Sequence, residues 1–446
     1  MNVRLLSSAG IVLLLFAGPL YPETRKLTRE DCISIALENH PAVMALAQEQ
    51  KKAAANYRLA KAPDRIQVSG EVKTAEYLKP ESSSSGFNVP GRDTTIGIFA
   101  GASAVYNLID PNVSRRQEAA KLAIDMARMN EIKERSTIVL NAKSAYYAYN
   151  MAIENAAVRE KLRDKYRLKL ETTTVLFRNG QRPILDVTKA DVDLASAMLE
   201  YEKAKNQESL ARTELLAALG IMEEEIDVAP YAMEELPSLR FGYEELYRLA
   251  EGHHPELRIA RLNREVQRIN IEVERSAGSI KVDLMASLGF ENKNIAGLGE
   301  MQENVKGSNW EPTFHAGIQA RVPIYTGGAI TARINAAEAE YNKSIYGEKQ
   351  ILLGVKALLR NYVQGMEELK KQIELSRLMK INAEKHLTLA QKSYDAGVGS
   401  QLSLQDAEAA VLDAELFSVS ARYEYLTILA RLSKTVGVEE DYLCRK

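Results

Sequence analysis

The sequence predicts a mainly α-helical protein made of two homologous halves, each a pair of long antiparallel helices preceded by two β-strands. Three observations carry this. The chain is duplicated: Phe177-Arg178-Asn179-Gly180 falls on Tyr394-Asp395-Ala396-Gly397, Leu185 on Leu402, Ala190 on Ala407 and Gly220 on Gly437, an offset of about 217 residues. A seven-residue apolar ladder, Ile345, Leu352, Leu359, Met366, Ile373, Leu387 and Tyr394, is interrupted at Lys380 and accompanied by Val355, Tyr362, Leu369, Ala383 and Ala390, a coiled-coil seam. Strict alternation of Phe314, Ala316, Ile318, Ala320, Val322 and Ile324 with Thr313, His315, Gly317, Gln319 and Arg321 marks a strand with two different environments.

Taken in order, Met1 to Pro22 carries Arg4 and the apolar run Ala9 to Ala17, the pattern of a secretory signal over residues 1–22. The first repeat, 27–220, opens with a helix over about 28–62, broken at His40-Pro41 because proline suits the first turn of a new segment. Ile66, Val68, Gly70 and Val72 alternate with polar residues and predict a strand over 66–78. A polar loop from Pro80 to Asp93 follows, and Ile96, Ile98, Ala100, Ala102, Ala104, Tyr106 and Leu108 predict the return strand over 94–109. Ile132, Val139, Tyr146 and Ile153 place a long helix over 112–176, a turn spans Arg178 to Pro183, and a second helix covers 184–219. Residues 221–240, with Pro230 and Pro237, read as a linker. The second repeat, 241–437, reproduces the order, with strands over 279–291 and 313–325 and helices over 329–394 and 402–436; residues 438–446 read as a tail. At 1.5 Å per residue the longest of these helices is roughly 95 Å, far more than one globular domain needs.

Composition is ordinary: 46% hydrophobic, 26% charged, net charge −2 over 446 residues. That balance gives no footprint for nucleic acid. No segment after the signal approaches about 18 unbroken apolar residues, so no transmembrane helix is expected in the mature chain. The four half-apolar strands need a different solution. An isolated hairpin is marginal in water. In lipid only a closed barrel satisfies every backbone donor and acceptor, and four strands cannot close alone. Strands of this length suffice for a tilted crossing, so the pattern favours copies combining into a membrane barrel over the alternative, a soluble periplasmic coiled-coil adaptor or structural stalk.

At this point the chain resembles the TolC family of outer-membrane efflux proteins over about Leu27 to Gly437. The carriers are the repeated Asn39-His40-Pro41-Ala42-Val43 and His253-His254-Pro255-Glu256-Leu257, the strand ending Val322-Pro323-Ile324-Tyr325-Thr326-Gly327-Gly328, and the paired turns. The resemblance implies a homotrimer in the outer membrane: a twelve-stranded β-barrel, four strands per protomer, continuing into a periplasmic α-helical barrel of coiled coils. It implies a passive exit duct for efflux or type I secretion, partnered by a periplasmic adaptor protein and an inner-membrane pump or ABC transporter. It also implies a gate near the helix tips, where Asp186 and Asp406 match family aspartates while Ser403 stands in place of another, with Arg182 and Tyr394 as neighbouring partners. The turns at Gly180 and at Gly397, Val398 and Gly399 are the expected adaptor-docking points.

Two further expectations concern chemistry. Export permits a disulfide between Cys32 and Cys444, with two free thiols as the alternative. His40, His253, His254, His315 and His386 are scattered without metal-ligand spacing, and Thr326-Gly327-Gly328 lacks the glycine and lysine of a phosphate loop. No cofactor and no enzymatic role is expected.

Overall fold

The computed structural model describes residues 26–82, 88–221, 227–231, 236–295, 310–396 and 398–445. The expected signal over 1–22 lies outside them, as do Gly397 and most of the loop before Pro312. The chain divides into two compact units. One draws on Met1–His40, Asn141–Leu236 and Lys371–Thr427 and holds both helix turns; the other draws on Pro41–Leu140, Pro237–Lys370 and Ile428–Lys446 and holds the large sheet.

In the sheet unit, strands β2 (Gln67–Ser82), β3 (Asn88–Ile109), β6 (Lys281–Ile295) and β7 (Glu311–Arg321) form one antiparallel sheet in the order β2-β3-β6-β7. Register decides the faces. Val72 lies opposite Ala100 and Ala100 opposite Phe290, while Ala102, Leu288 and Phe314 form a second row. Paired residues share a face in an antiparallel ladder, so the alternation gives one continuous apolar surface across all four strands. The other face carries the row Ser69, Ser103, Ser287 and His315, with the Ser69 and Ser103 hydroxyls 3.0 Å apart. The apolar face is open to solvent in one chain: Val72 is 73% and Ile318 70% exposed. Both edge strands, β2 and β7, have one unpaired side among the described residues.

The strand bounds differ from the expected ones in three places. The β2–β3 ladder continues past the expected end to Ser82–Asn88, so most of the expected loop Pro80 to Asp93 is strand. Proline is tolerated there because Pro80 and Pro90 face each other at a register shift, on an edge strand and beyond the last described β3–β6 pair, Ile96–Ile295. Strand β6 likewise runs on to Ile295. Strand β7 instead stops at Arg321, short of the expected 325, since Pro323 brings no N–H to a ladder.

The helices follow the periodicity closely. Helices α1 (Arg29–Asn39) and α2 (Pro41–Lys61) meet at the His40-Pro41 break, and α5 (Tyr243–His253) and α6 (Pro255–Arg275) repeat it. Thr28 opens α1 with a capping box to Asp31. Helix α3 (Pro111–Arg178) starts where the Asp110 carboxylate accepts from Asn112 N–H at 3.0 Å, with proline at the first helical position. Helix α7 (Ala329–Asp395) starts after Gly327 and Gly328, both at positive φ. Helices α4 (Ile184–Leu219) and α8 (Gln401–Val436) return. Their buried seams are alanines seven apart: Ala190, Ala197, Ala204 and Ala211 in one, Ala407, Ala414 and Ala421 in the other. Small side chains at this spacing let the partner helix approach closely. Lys380, the break in the apolar ladder, pairs with Glu415 of α8 at 2.9 Å.

The described parts of the linker and tail form short elements that the sequence did not show. Within the turn unit β1 (Lys26–Leu27) pairs in parallel with β4 (Asp227–Val228), and within the sheet unit β5 (Ser238–Leu239) pairs antiparallel with β8 (Cys444–Arg445) after the short helix α9 (Glu440–Leu443). Each repeat is thus clipped shut between its first residues and those after its last long helix. Phe241 stacks on Tyr442 beside the second clip, with ring centres 5.5 Å apart. Two- and four-residue elements give no periodic signal, which is why residues 221–240 and 438–446 read as linker and tail. Cys32 is a buried free thiol of the turn unit and Cys444 a half-buried free thiol of the sheet unit. Burial pushes both thiols up, Cys32 to about 12 and Cys444 to about 11, so neither is a ready thiolate nucleophile.

Candidate functional site

The two helix turns lie in one unit and are built differently. At the end of α3, Gly180 takes φ +70 and accepts the left-handed position that closes the helix. Its N–H bonds to the Phe177 carbonyl and that of Gln181 to the Leu176 carbonyl, both at 2.9 Å. At the end of α7, the N–H groups of Val398 and Gly399 both reach the Ser393 carbonyl, and a Cβ on Gly399 would stand 2.9 Å from the Ser393 carbonyl carbon. Ser400 then caps α8, its hydroxyl accepting from Ser403 N–H at 3.1 Å.

Arg182 bridges the two turns. Its guanidinium sits 4.8 Å from the centre of the Tyr394 ring, in the last turn of α7, and 3.6 Å from the Asp186 carboxylate in the first turn of α4. Asp186 is not the cap of its helix: the N-cap is Pro183, with no side-chain capping bond, and Asp186 points to Arg182 instead. A cation held between a carboxylate and an aromatic face ties one hairpin to the other. Beneath it Leu387, Ala390, Tyr394, Leu404 and Ala407 form an apolar cluster. Ser403 and Asp406 stand apart from this arrangement; both are exposed on α8.

Sequence reasoning missed a polar seam one to three turns further from the tip. Lys169 of α3 pairs with Asp193 of α4 at 3.2 Å, and Gln405 of α8 donates to the same carboxylate at 2.7 Å. One turn on, Lys165 of α3 pairs with Glu408 of α8 at 2.9 Å. Glu408 is only 3% exposed at its side chain, and its second oxygen has no hydrogen-bond partner among the described residues. Burial, with Glu408 and Asp193 nearby, pushes the Tyr166 hydroxyl up to about 12, so it stays a neutral donor. Farther along, Glu154 of α3 accepts from Arg422 at 2.7 Å and from the Tyr423 hydroxyl at 2.5 Å. Ion pairs therefore join α3 to α8 between the hairpins as well as α3 to α4 within the first. The legible signal was Glu408 itself, a carboxylate four residues after the seam residue Leu404.

The sequence model of the family described as "Outer membrane efflux protein" matches residues 32–221 and 246–438, one match per repeat. The alkaline protease secretion protein AprF of Pseudomonas aeruginosa is 26% identical over 308 residues, 68% of this chain and 62% of its own length. The outer membrane protein TolC of Vibrio cholerae is 21% identical over 69% of each chain. The chain thus spans about two thirds of the length of these relatives. Among solved structures, the outer membrane protein VceC of Vibrio cholerae superposes with a TM-score of 0.73 at 18% identity, covering 93% of this chain and 97% of that one.

Proposed function

The chain belongs to the outer membrane efflux protein family, and from that premise we propose that it is the outer-membrane exit duct of a tripartite efflux or type I secretion system. The observation that carries this is the sheet: four strands, one continuous apolar face, and an unpaired side on each edge strand. Such a sheet is stable in lipid only when its edges are satisfied. Three copies joined edge to edge give twelve strands and a closed barrel. The polar row Ser69, Ser103, Ser287 and His315 then faces the barrel interior.

The duct is a passive conduit rather than an enzyme. Energy comes from an inner-membrane pump or ABC transporter, coupled through a periplasmic adaptor that meets the turns at Gly180 and at Gly397 to Gly399. Arg182, Asp186 and Tyr394 form the latch that holds neighbouring hairpins together when the duct is closed, and a ring of Asp406 carboxylates would favour cations at the entrance.

The test is extraction and assembly. The mature protein should require detergent to leave outer membranes, run as a trimer that heat converts to monomer on a denaturing gel, and conduct ions in planar bilayers. A protein that stays monomeric in aqueous buffer without detergent would defeat the reading.

A further inference from the structure

Within the sheet unit two cavities adjoin among the stretches of α3, α6, α7 and α8 that belong to it. One, of about 440 Å³, has Leu140, Val355 and Leu358 on its wall. The other, of about 610 Å³, has Met126, Ile259 and Ala260. Glu256 and Ile351 line both, so the two form one groove. One wall follows α7, where Gly347, Ile351, Gly354 and Leu358 share a helix face over roughly 16 Å at 1.5 Å per residue. Glycine weakens a helix interior, yet two of these four wall residues are glycines. A Cβ at either would meet nothing within 4 Å. Their missing side chains keep the groove open.

The two ends of the groove differ in charge. In the larger cavity each carboxylate has its cation: Glu340 pairs with Lys343 at 3.0 Å, Glu348 with Arg264 at 2.5 Å and Glu256 with Lys133 at 3.0 Å. In the smaller, Arg431 and Lys434 lie on one face of α8, and Tyr362 of α7 shares the wall. None of these three side chains has a hydrogen bond or ion pair among the described residues. Glu256, the one carboxylate among the described residues of that wall, is already matched by Lys133, and Lys434 acts on it only from beyond ion-pair distance. The smaller cavity therefore carries positive charge that the chain itself does not neutralise.

We infer that the groove binds a single-chain amphiphilic anion of the fatty-acid class, its carboxylate on Arg431 and Lys434 and its chain laid along Gly354, Ile351 and Gly347. Charge selects one anionic head, because only one end of the groove has cations without partners. A guanidinium takes a carboxylate through two parallel hydrogen bonds, and the Tyr362 hydroxyl is a further donor beside it. Length selects an acyl chain: a small anion would satisfy the cations and leave the α7 wall wet, whereas each buried methylene adds affinity. Both volumes lie in the range of small-ligand sites, about 300–1,000 Å³. The inference goes beyond the proposed duct and does not depend on it, since every wall residue belongs to the sheet unit of one chain.

Photolabelling of the full mature chain in lipid nanodiscs tests it, with palmitate carrying a diazirine at the end of its chain as the probe. Mass spectrometry should find the label on peptides around Ala260 and Gly347, where the chain end comes to lie. Excess palmitate should remove it; methyl palmitate, with the same chain and no charge, and inorganic phosphate should not. Arg431→Gln with Lys434→Gln should lower the competed labelling at least about tenfold, and Arg431→Lys should keep most of it. Gly354→Leu, which puts a side chain into the open space without changing charge, should abolish labelling while leaving far-UV helicity unchanged. Competed labelling that survives both the double substitution and Gly354→Leu overturns the site. So does label confined to the strands, or competition by methyl palmitate or by phosphate as strong as by palmitate. A groove filled by a second copy of the chain would leave these peptides unlabelled in the assembled protein, which overturns it equally.

Discussion

Arg182 is the side chain whose removal separates a latch from ordinary packing. It makes two contacts between the paired turns, the stack on Tyr394 at 4.8 Å and the ion pair to Asp186 at 3.6 Å. A half-exposed cation–π contact contributes about 0.5–1 kcal/mol and an exposed ion pair four residues apart about 0.3–0.5 kcal/mol. Arg182→Ala should therefore destabilise the closed tip by about 1 kcal/mol per protomer. If the three protomers of the duct open together the costs add to about 3 kcal/mol, a shift of roughly a hundredfold in the closed-to-open ratio. Single-channel recording in planar bilayers reads this as open probability. The aromatic part can be isolated: Tyr394→Phe keeps the ring and should behave like the parent, whereas Tyr394→Ala should reproduce most of the Arg182→Ala effect. Asp186→Asn should have the smallest effect of the set. An Arg182→Ala trimer of normal heat stability and unchanged open probability would refute the latch. A Tyr394→Phe channel as open as Tyr394→Ala would show that the hydroxyl, not the ring, makes the contact.

Gly437 takes φ +81, and a Cβ there would stand 2.7 Å from the His253 carbonyl oxygen, so Gly437→Ala should cost about 1–2 kcal/mol for the backbone alone; Gly354→Ala, mid-helix with nothing within 4 Å of the added carbon, should stabilise by about 0.5–1 kcal/mol, and chemical denaturation followed by circular dichroism reads the opposite signs. Lys165→Ala leaves the buried Glu408 carboxylate without its cation and should destabilise by about 2 kcal/mol, while Lys165→Met with Glu408→Leu, which removes both charges, should recover most of that loss by the same assay. Stability should decline in two steps on acidification. Burial depresses the His254 imidazole against the pull of the Thr435 carbonyl and Glu256; burial would raise Glu256, but the Lys133 hydrogen bond and charge outweigh it and hold the carboxyl low. Both groups have folded values below their unfolded ones, so each contributes stability above its unfolded value that is lost as pH falls, His254 below about 6.5 and Glu256 below about 4.5. His254→Gln should abolish only the upper step in a pH series of melting curves. Asp406→Ala should weaken block of the open channel by a divalent cation; unchanged block would remove the acidic ring.

How far the sequence could be read depended on whether a feature repeats. Period-two alternation and the seven-residue ladder recur over ten residues or more, and the long helices begin and end within two residues of where periodicity places them. Features set by a single contact were not legible. The duplicated His-Pro break and the duplicated glycine stood out in the sequence as separate marks. In the structure they are one joint: a Cβ on Gly220 would come 2.9 Å from the His40 Cα, as one on Gly437 would from the His253 backbone. Glycine is needed at the end of α4 and of α8 on two counts, the positive φ that closes each helix and the backbone of the break, which lies where a Cβ would stand. A proline that interrupts a helix and a glycine that ends another some 180 residues later thus have a shared cause, and no periodicity encodes it.

The latch shows the same limit from the other direction. Asp186, Arg182 and Tyr394 were legible as neighbours because they flank aligned turns, but a residue after a turn serves as cap or as partner according to what faces it. Pro183 settles the matter locally: with proline at the N-cap offering no capping side chain, Asp186 in the first turn is free to hold Arg182, and its charge is favourable at that helix end in either role. In the second repeat Ser400 provides the cap, and exposed Asp406 forms no ion pair with arginine among the described residues. The two turns began as copies. One carries a charge and the other small residues, so a carboxylate–arginine pair forms only at the first turn, where Arg182 stands before Asp186. Exchanging the tips, with Gly180-Gln181-Arg182-Pro183 replaced by Gly397-Val398-Gly399-Ser400, should therefore open the duct as Arg182→Ala does while leaving α4 capped and folded.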